Sequence, residues 1–119
     1  MLSNATVTIN KNTLGPGHPL TVIAGPCQIE SQAHAEHMAG SLKDMSERIG
    51  INLIYKSSFD KANRSSVSSM RGAGIDSGLA ILNSVKHRYG IPVLTDIHEP
   101  WQADVCADAG IDVLQIPAF

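Results

Sequence analysis

The segment Lys56-Ser57-Ser58-Phe59-Asp60-Lys61-Ala62-Asn63-Arg64-Ser65-Ser66 puts two ammonium groups, a guanidinium, four hydroxyls and one amide into eleven residues. Such donors match the oxygens of phosphate and carboxylate groups, and an arginine can bind two oxygens at once. From Lys56 to Arg71 the cations Lys56, Lys61, Arg64 and Arg71 face Asp60 alone, within a chain whose formal net charge is -2. A basic stretch rich in Ser, Asn and Gly suits a small phosphorylated or carboxylated molecule better than a long polyanion. It is not a nucleotide-binding phosphate loop, because neither Gly72 nor Gly74 is followed by Lys-Ser or Lys-Thr. Composition leaves a solvated loop open as the alternative.

A second candidate is Cys27, in Gly25-Pro26-Cys27-Gln28-Ile29-Glu30-Ser31. A thiolate exposed at the end of a strand can meet a divalent metal, whereas a lone strand cysteine can equally be a small buried hydrophobe. No second ligand stands at a short spacing from it. His98, two residues after Asp96, is placed to reach the same rim, while His34 and His37 flank the polar side of a helix and read as solvated. His18 and His87 belong to no pattern, and Cys106 reads as core.

These groups need a frame, and a repeat supplies one. Gly-Ile, one variable residue and two apolar residues recur at Gly50-Ile51-Asn52-Leu53-Ile54, Gly90-Ile91-Pro92-Val93-Leu94 and Gly110-Ile111-Asp112-Val113-Leu114. A glycine ending a helix, followed by a short β-branched run, is the signature of a helix passing into a buried strand. Ala35, Met38, Leu42, Met45 and Ile49 place an apolar stripe on a helix from about Gln32 to Ile49. Ile75, Leu79, Leu82 and Val85 do the same before Gly90, and Pro100 suits the first turn of a short helix through about Ala109. With strands at Leu20 to Ala24 and Asp112 to Ile116, strands and helices alternate as in a parallel sheet built by crossovers. Ala5 to Asn12 reads as an added strand or hairpin. Cys27, Lys56, Asp96 and Gln115 then stand at the carboxyl ends of four successive strands, where parallel α/β folds bind ligands.

At 119 residues the chain has enough surface to bury for one core. No apolar run approaches the roughly 18 residues of a membrane span, and no signal-peptide pattern opens the chain, so a cytoplasmic protein is expected. Two cysteines are too few for a disulfide scaffold, and near-neutral charge with 4% aromatics argues against a nucleic-acid surface.

Taken together, the Gly-Pro-Cys-Gln-Ile-Glu-Ser segment, the Lys56 to Ser66 string, Thr95-Asp96-Ile97-His98-Glu99 and Gln115-Ile116-Pro117-Ala118-Phe119 resemble 3-deoxy-D-manno-octulosonate 8-phosphate synthase, also called 2-dehydro-3-deoxyphosphooctonate aldolase. The likeness runs from about Leu20 to the last residue. It implies condensation of phosphoenolpyruvate with D-arabinose 5-phosphate, toward the inner lipopolysaccharide sugar of Gram-negative bacteria. The sister heptulosonate 7-phosphate synthases share the Gly-Pro-Cys opening but typically carry Lys-Pro-Arg-Thr in place of Lys61-Ala62-Asn63-Arg64.

The resemblance also implies residue roles. Lys56, Ser58, Lys61 and Gln115 would hold phosphoenolpyruvate, with Ala118 offering its backbone amide. Asn63 and Asp96 would face the sugar hydroxyls and aldehyde, so Lys61, Asn63 and Asp96 are the candidate catalytic residues. Arg64 and Ser65 would grip the sugar phosphate across a subunit boundary, which implies a homo-oligomer, a tetramer in the family. Cys27 would be one ligand of a divalent metal such as iron, zinc or manganese, because metal-independent members carry Asn there. The implied fold is a (β/α)8 barrel of roughly 250 residues, so residues 1–119 are expected to be its first half: an extension over 1–19 and four βα units over 20–119. The family's other metal ligands, a His, a Glu and an Asp, would lie outside this chain. A heptulosonate synthase, or a half-barrel that binds phosphorylated ligands without catalysis, are the alternative readings.

Overall fold

The computed structural model describes residues 5–60 and 74–118. A hairpin opens the described chain, β1 (Val7–Ile9) against β2 (Asn12–Leu14), with Val7 opposite Leu14 and Ile9 opposite Asn12. Its tight turn uses Asn10 at φ 55°, one of the few non-glycine residue types that tolerate that conformation. The alternating elements follow: β3 (Thr21–Ala24), α1 (Gln32–Ile49), β4 (Asn52–Lys56), α2 (Ile75–Tyr89), β5 (Val93–Asp96), α3 (Pro100–Asp108) and β6 (Val113–Gln115).

The four later strands form one parallel sheet in the order β3-β4-β5-β6. Each strand lies beside the one before it, so the order never reverses as it does in an open doubly wound sheet. That sequential order is the order of a (β/α)8 barrel, of which these are four consecutive strands with the three helices between them. The glycines of the Gly-Ile repeat carry the positive φ its reading requires, 74° at Gly50, 65° at Gly90 and 88° at Gly110. Gly50 and Gly90 are left-handed caps of α1 and α2, whereas α3 ends on Ala109, one residue earlier in the repeat.

The core lies between sheet and helices. Leu53, Tyr55 and Val93 on one sheet face meet Ala35, Ala39, Leu79, Leu82, Val85 and Cys106 from the helices. The stripe expected on α1 is only half correct. Ala35 and Ala39 are buried and Met38 and Leu42 pack against the core, but Met45 and Ile49 are 47% and 70% exposed and Ser46 is buried in their place. Steps of three and four average 3.5 residues, and against a helical period of 3.6 such a stripe drifts around the helix, so its far end leaves the sheet.

An ion pair closes the amino end of β5. The Lys86 ammonium reaches Asp112 Oδ1 at 2.9 Å and the Gly110 carbonyl at 2.8 Å, while Asp112 Oδ2 accepts the Val93 amide at 2.9 Å. Both side chains are mostly buried, 25% and 14% exposed. Asp112→Ala leaves an ammonium and an amide short of an acceptor, and should cost about 2–3 kcal/mol. A urea midpoint that falls with an unchanged slope would show this; an unmoved midpoint would show that solvent replaces the carboxylate.

Candidate functional site

Side chains alternate across a strand, so the register decides which residues meet. Tyr55 pairs with Val93, and both enter the helix-facing core. Lys56 pairs with Leu94, and Asp96, two residues beyond Leu94, pairs with Gln115. Lys56, Asp96 and Gln115 therefore share the sheet face opposite the helices, at the carboxyl ends of three adjacent strands. That face is the interior side of a barrel. Asp96 is buried, Lys56 is partly buried and Gln115 is exposed. Ala118 is exposed three residues past β6.

The β3 end is built by a close backbone approach. A Cβ on Gly25 would lie 1.8 Å from the Lys56 carbonyl oxygen, so only glycine fits. Beyond it the pairing slips by one residue: Ala24 pairs with Tyr55, yet Gln28 bridges Ser58. The slip is pinned by Ser58 N donating to the Cys27 carbonyl at 3.3 Å, Ile29 N donating to the Ser58 carbonyl at 2.9 Å and Ser57 Oγ donating to the Pro26 carbonyl at 2.8 Å. Its product is an exposed Cys27 thiol. Cys27 is thus not part of the core formed by the described residues, whereas Cys106 is, and burial pushes the Cys106 thiol up in pKa.

Ser58 is fully buried, and its hydroxyl donates to the Asp60 carbonyl at 2.8 Å. Its proton is committed locally, which leaves the oxygen as an acceptor. Phe59 anchors this segment in the core beside Gly78, where a Cβ would stand 2.6 Å from that of Phe59. Lys61, Asn63, Arg64 and Ser65 lie outside the described residues.

At the end of β5, His98 Nε2 lies 3.0 Å from Asp96 Oδ2, with the two side chains 18% and 6% exposed. Asp96 Oδ1 is buried without a hydrogen-bond partner among the described residues. Gln102, buried in the first turn of α3, accepts the His98 amide at 2.8 Å and the Glu99 amide at 3.1 Å on its Oε1. Sequence reasoning missed Gln102. Its signal is a helix-start box with glutamine three residues after the cap, disguised because the cap is Glu99 rather than Ser, Thr, Asp or Asn.

Other titratable groups stand apart. Burial pushes the Tyr55 phenol up to about 12, so it remains neutral and serves as packing. His34 and His37 sit on α1, His37 exposed and His34 3.8 Å from Glu30. Between α1 and α2 lies an open groove of about 710 Å³ that includes Glu36, His37, Asp44, Arg88 and Tyr89 and none of the strand-end residues. There Arg88 reaches Glu36 at 2.8 Å and its hydrogen bond holds that carboxyl below its ordinary range. Among the described residues no three of His, Cys, Asp and Glu stand close enough to hold a metal. Cys27 alone does not make a metal site, which takes three or four protein ligands. No helix of the described residues is long and apolar enough to cross a membrane.

Three findings from known proteins bear on this arrangement. The chain is 50% identical over all 119 residues to the 2-dehydro-3-deoxyphosphooctonate aldolase of Chelativorans sp. strain BNC1, covering 43% of that relative. It is also 50% identical over 117 residues, 98% of its length, to the proteins of that name from Brucella ovis and Brucella melitensis, covering 42% of each. It thus spans less than half the length of these curated relatives. The family model described as the DAHP synthetase I family matches residues 4–119, and with four barrel units carrying polar groups at their carboxyl ends, the chain belongs to that family.

Proposed function

We propose that this chain is the first half of a full-length enzyme that condenses phosphoenolpyruvate with D-arabinose 5-phosphate and water, giving 3-deoxy-D-manno-octulosonate 8-phosphate and phosphate. The observation that carries it is the register, which puts Lys56, Asp96 and Gln115 on one face at adjacent strand ends. The 50% identity to proteins named for this product favours it over the heptulosonate reading.

In this reading Lys56, Lys61 and Gln115 hold the phosphate and carboxylate of phosphoenolpyruvate, joined by the Ser58 oxygen and the Ala118 amide. Arg64 and Ser65 bind the phosphate of the aldose, within a homotetramer in the cytoplasm. Asn63 and Asp96 fix its hydroxyls and aldehyde. Carbon 3 of phosphoenolpyruvate bonds to the aldehyde carbon, a water oxygen bonds to carbon 2, and the carbon 2 to oxygen bond then breaks to release phosphate. The fixed cations stabilise oxygens that keep or gain negative charge, and holding both substrates together removes the entropy cost of their meeting. Cys27 is one ligand of a divalent metal whose remaining ligands come from outside this chain.

The test is phosphate release from phosphoenolpyruvate by the full-length enzyme with a series of aldose phosphates. Turnover should require arabinose 5-phosphate; preference for a shorter aldose phosphate would favour the heptulosonate reading, and binding without turnover the non-catalytic one. Arg64→Ala should remove a charge-assisted phosphate contact of about 2 kcal/mol, lowering apparent aldose affinity about thirtyfold and leaving phosphoenolpyruvate nearly unchanged. Equal loss of both affinities would remove Arg64 from the sugar site.

A further inference from the structure

We propose that Gln102 is a positioning residue that acts through His98 to aim one oxygen of Asp96 into the site, an inference resting on the reading that Asp96 meets the aldose. Gln102 is 6% exposed, and its Oε1 takes both amides of the turn that links β5 to α3, His98 at 2.8 Å and Glu99 at 3.1 Å. Fixing two successive amides on one acceptor fixes the backbone from which the His98 ring projects. The ring then meets Asp96 Oδ2 at 3.0 Å.

A carboxylate oxygen accepts, so the pairing needs the His98 tautomer whose facing nitrogen donates. That bond stops the carboxylate from turning about its last torsion. Oδ1 is left buried and without a partner among the described residues, and the register puts Asp96 on the face that Lys56 and Gln115 share. A buried acceptor left unpaired costs free energy that a ligand donor recovers on binding. The aldose hydroxyls are such donors. A simple cap on α3 would explain the bond to Glu99, but the shorter bond to His98 lies one residue before the cap.

The experiment compares Gln102→Met, which keeps the shape and loses the acceptor, with Gln102→Glu, which keeps an acceptor oxygen, both in the full-length enzyme. His98→Ala and the Gln102→Met/His98→Ala double variant complete a cycle. Gln102→Met should lower kcat/KM for arabinose 5-phosphate about thirtyfold, as expected for a misplaced reacting group, and leave the KM for phosphoenolpyruvate within about twofold. Gln102→Glu should restore most of the loss, and the double variant should be no worse than His98→Ala, because residues in one network do not add. Losses that multiply, a Glu variant as poor as the Met variant, or a Met variant with parental kinetics would each overturn the proposal. Should the parent fail to turn over these substrates, the functional reading fails instead. Ring-nitrogen resonances of His98 then decide the positioning claim: protonated at Nε2 in the parent and mixed in Gln102→Met supports it, and identical spectra overturn it.

Discussion

Gly25→Ala should destabilise the protein by about 3 kcal/mol or more and raise the KM for phosphoenolpyruvate severalfold, a large effect for one methyl group. The methyl carbon would lie 1.8 Å from the Lys56 carbonyl oxygen, and the next contacts, at 2.8 and 3.0 Å, are also Lys56 backbone. No flexible side chain stands there to give way. Relief requires β3 and β4 to separate where the register slips, which moves the Lys56 side chain and breaks the Ile29 and Ser58 amide bonds just beyond. Gly17→Ala is the control, because Gly17 has φ +83° but open space around its Cβ, so it measures backbone strain without the contact. Denaturant midpoints of both variants, with amide exchange at Ile29 and Ser58, check the result. If the two cost the same, the close approach relaxes cheaply and Gly25 is not what sets the Lys56 end.

Much of the frame was legible because it rests on local chemistry. The Gly-Ile repeat marks helix ends through a conformation that glycine adopts without steric cost, and the structure caps α1 and α2 there. The α2 stripe holds, since Leu79, Leu82 and Val85 are buried and Ile75, partly buried, packs against the core. What escaped reading depends on contacts between distant residues. The one-residue slip between β3 and β4 follows from Gly25 meeting Lys56, thirty-one residues away in sequence like the Ser57 to Pro26 bond. No window of sequence contains both. The exposure of Met45 and Ile49 likewise depends on where α1 diverges from the sheet. Lys56, Asp96 and Gln115 were legible as strand ends, but that they share a face follows from pairing registers, and the bond from His98 to Gln102 lies one residue before the cap, outside what a helix-start box announces.

Cys27→Ala should abolish metal binding by the full-length enzyme, together with at least about a hundredfold of its activity, if the proposed ligand role holds. The site makes the substitution a clean probe. Cys27 is exposed among the described residues, so removing its thiol opens no cavity in the core they form, and the Cys27 group that accepts the Ser58 amide is its backbone carbonyl, which alanine keeps. With metal removed from both proteins, stability should therefore stay within about 0.5 kcal/mol of the parent, the range of surface substitutions, whereas added metal should stabilise the parent alone. Loss of activity without loss of metal-free stability then reports on the thiolate itself. Cys27→Asn sharpens the test, because asparagine stands here in the metal-independent members implied by the resemblance. Its amide is a poor substitute for a thiolate ligand but hydrogen-bonds within the site. The Asn variant should bind metal weakly and keep some turnover in the presence of a chelator, whereas the parent loses its activity to the chelator and regains it with added divalent metal. Metal content and chelator sensitivity of all three proteins decide the matter. A parent that is metal-free and fully active would leave Cys27 as an exposed thiol with no part in the reaction.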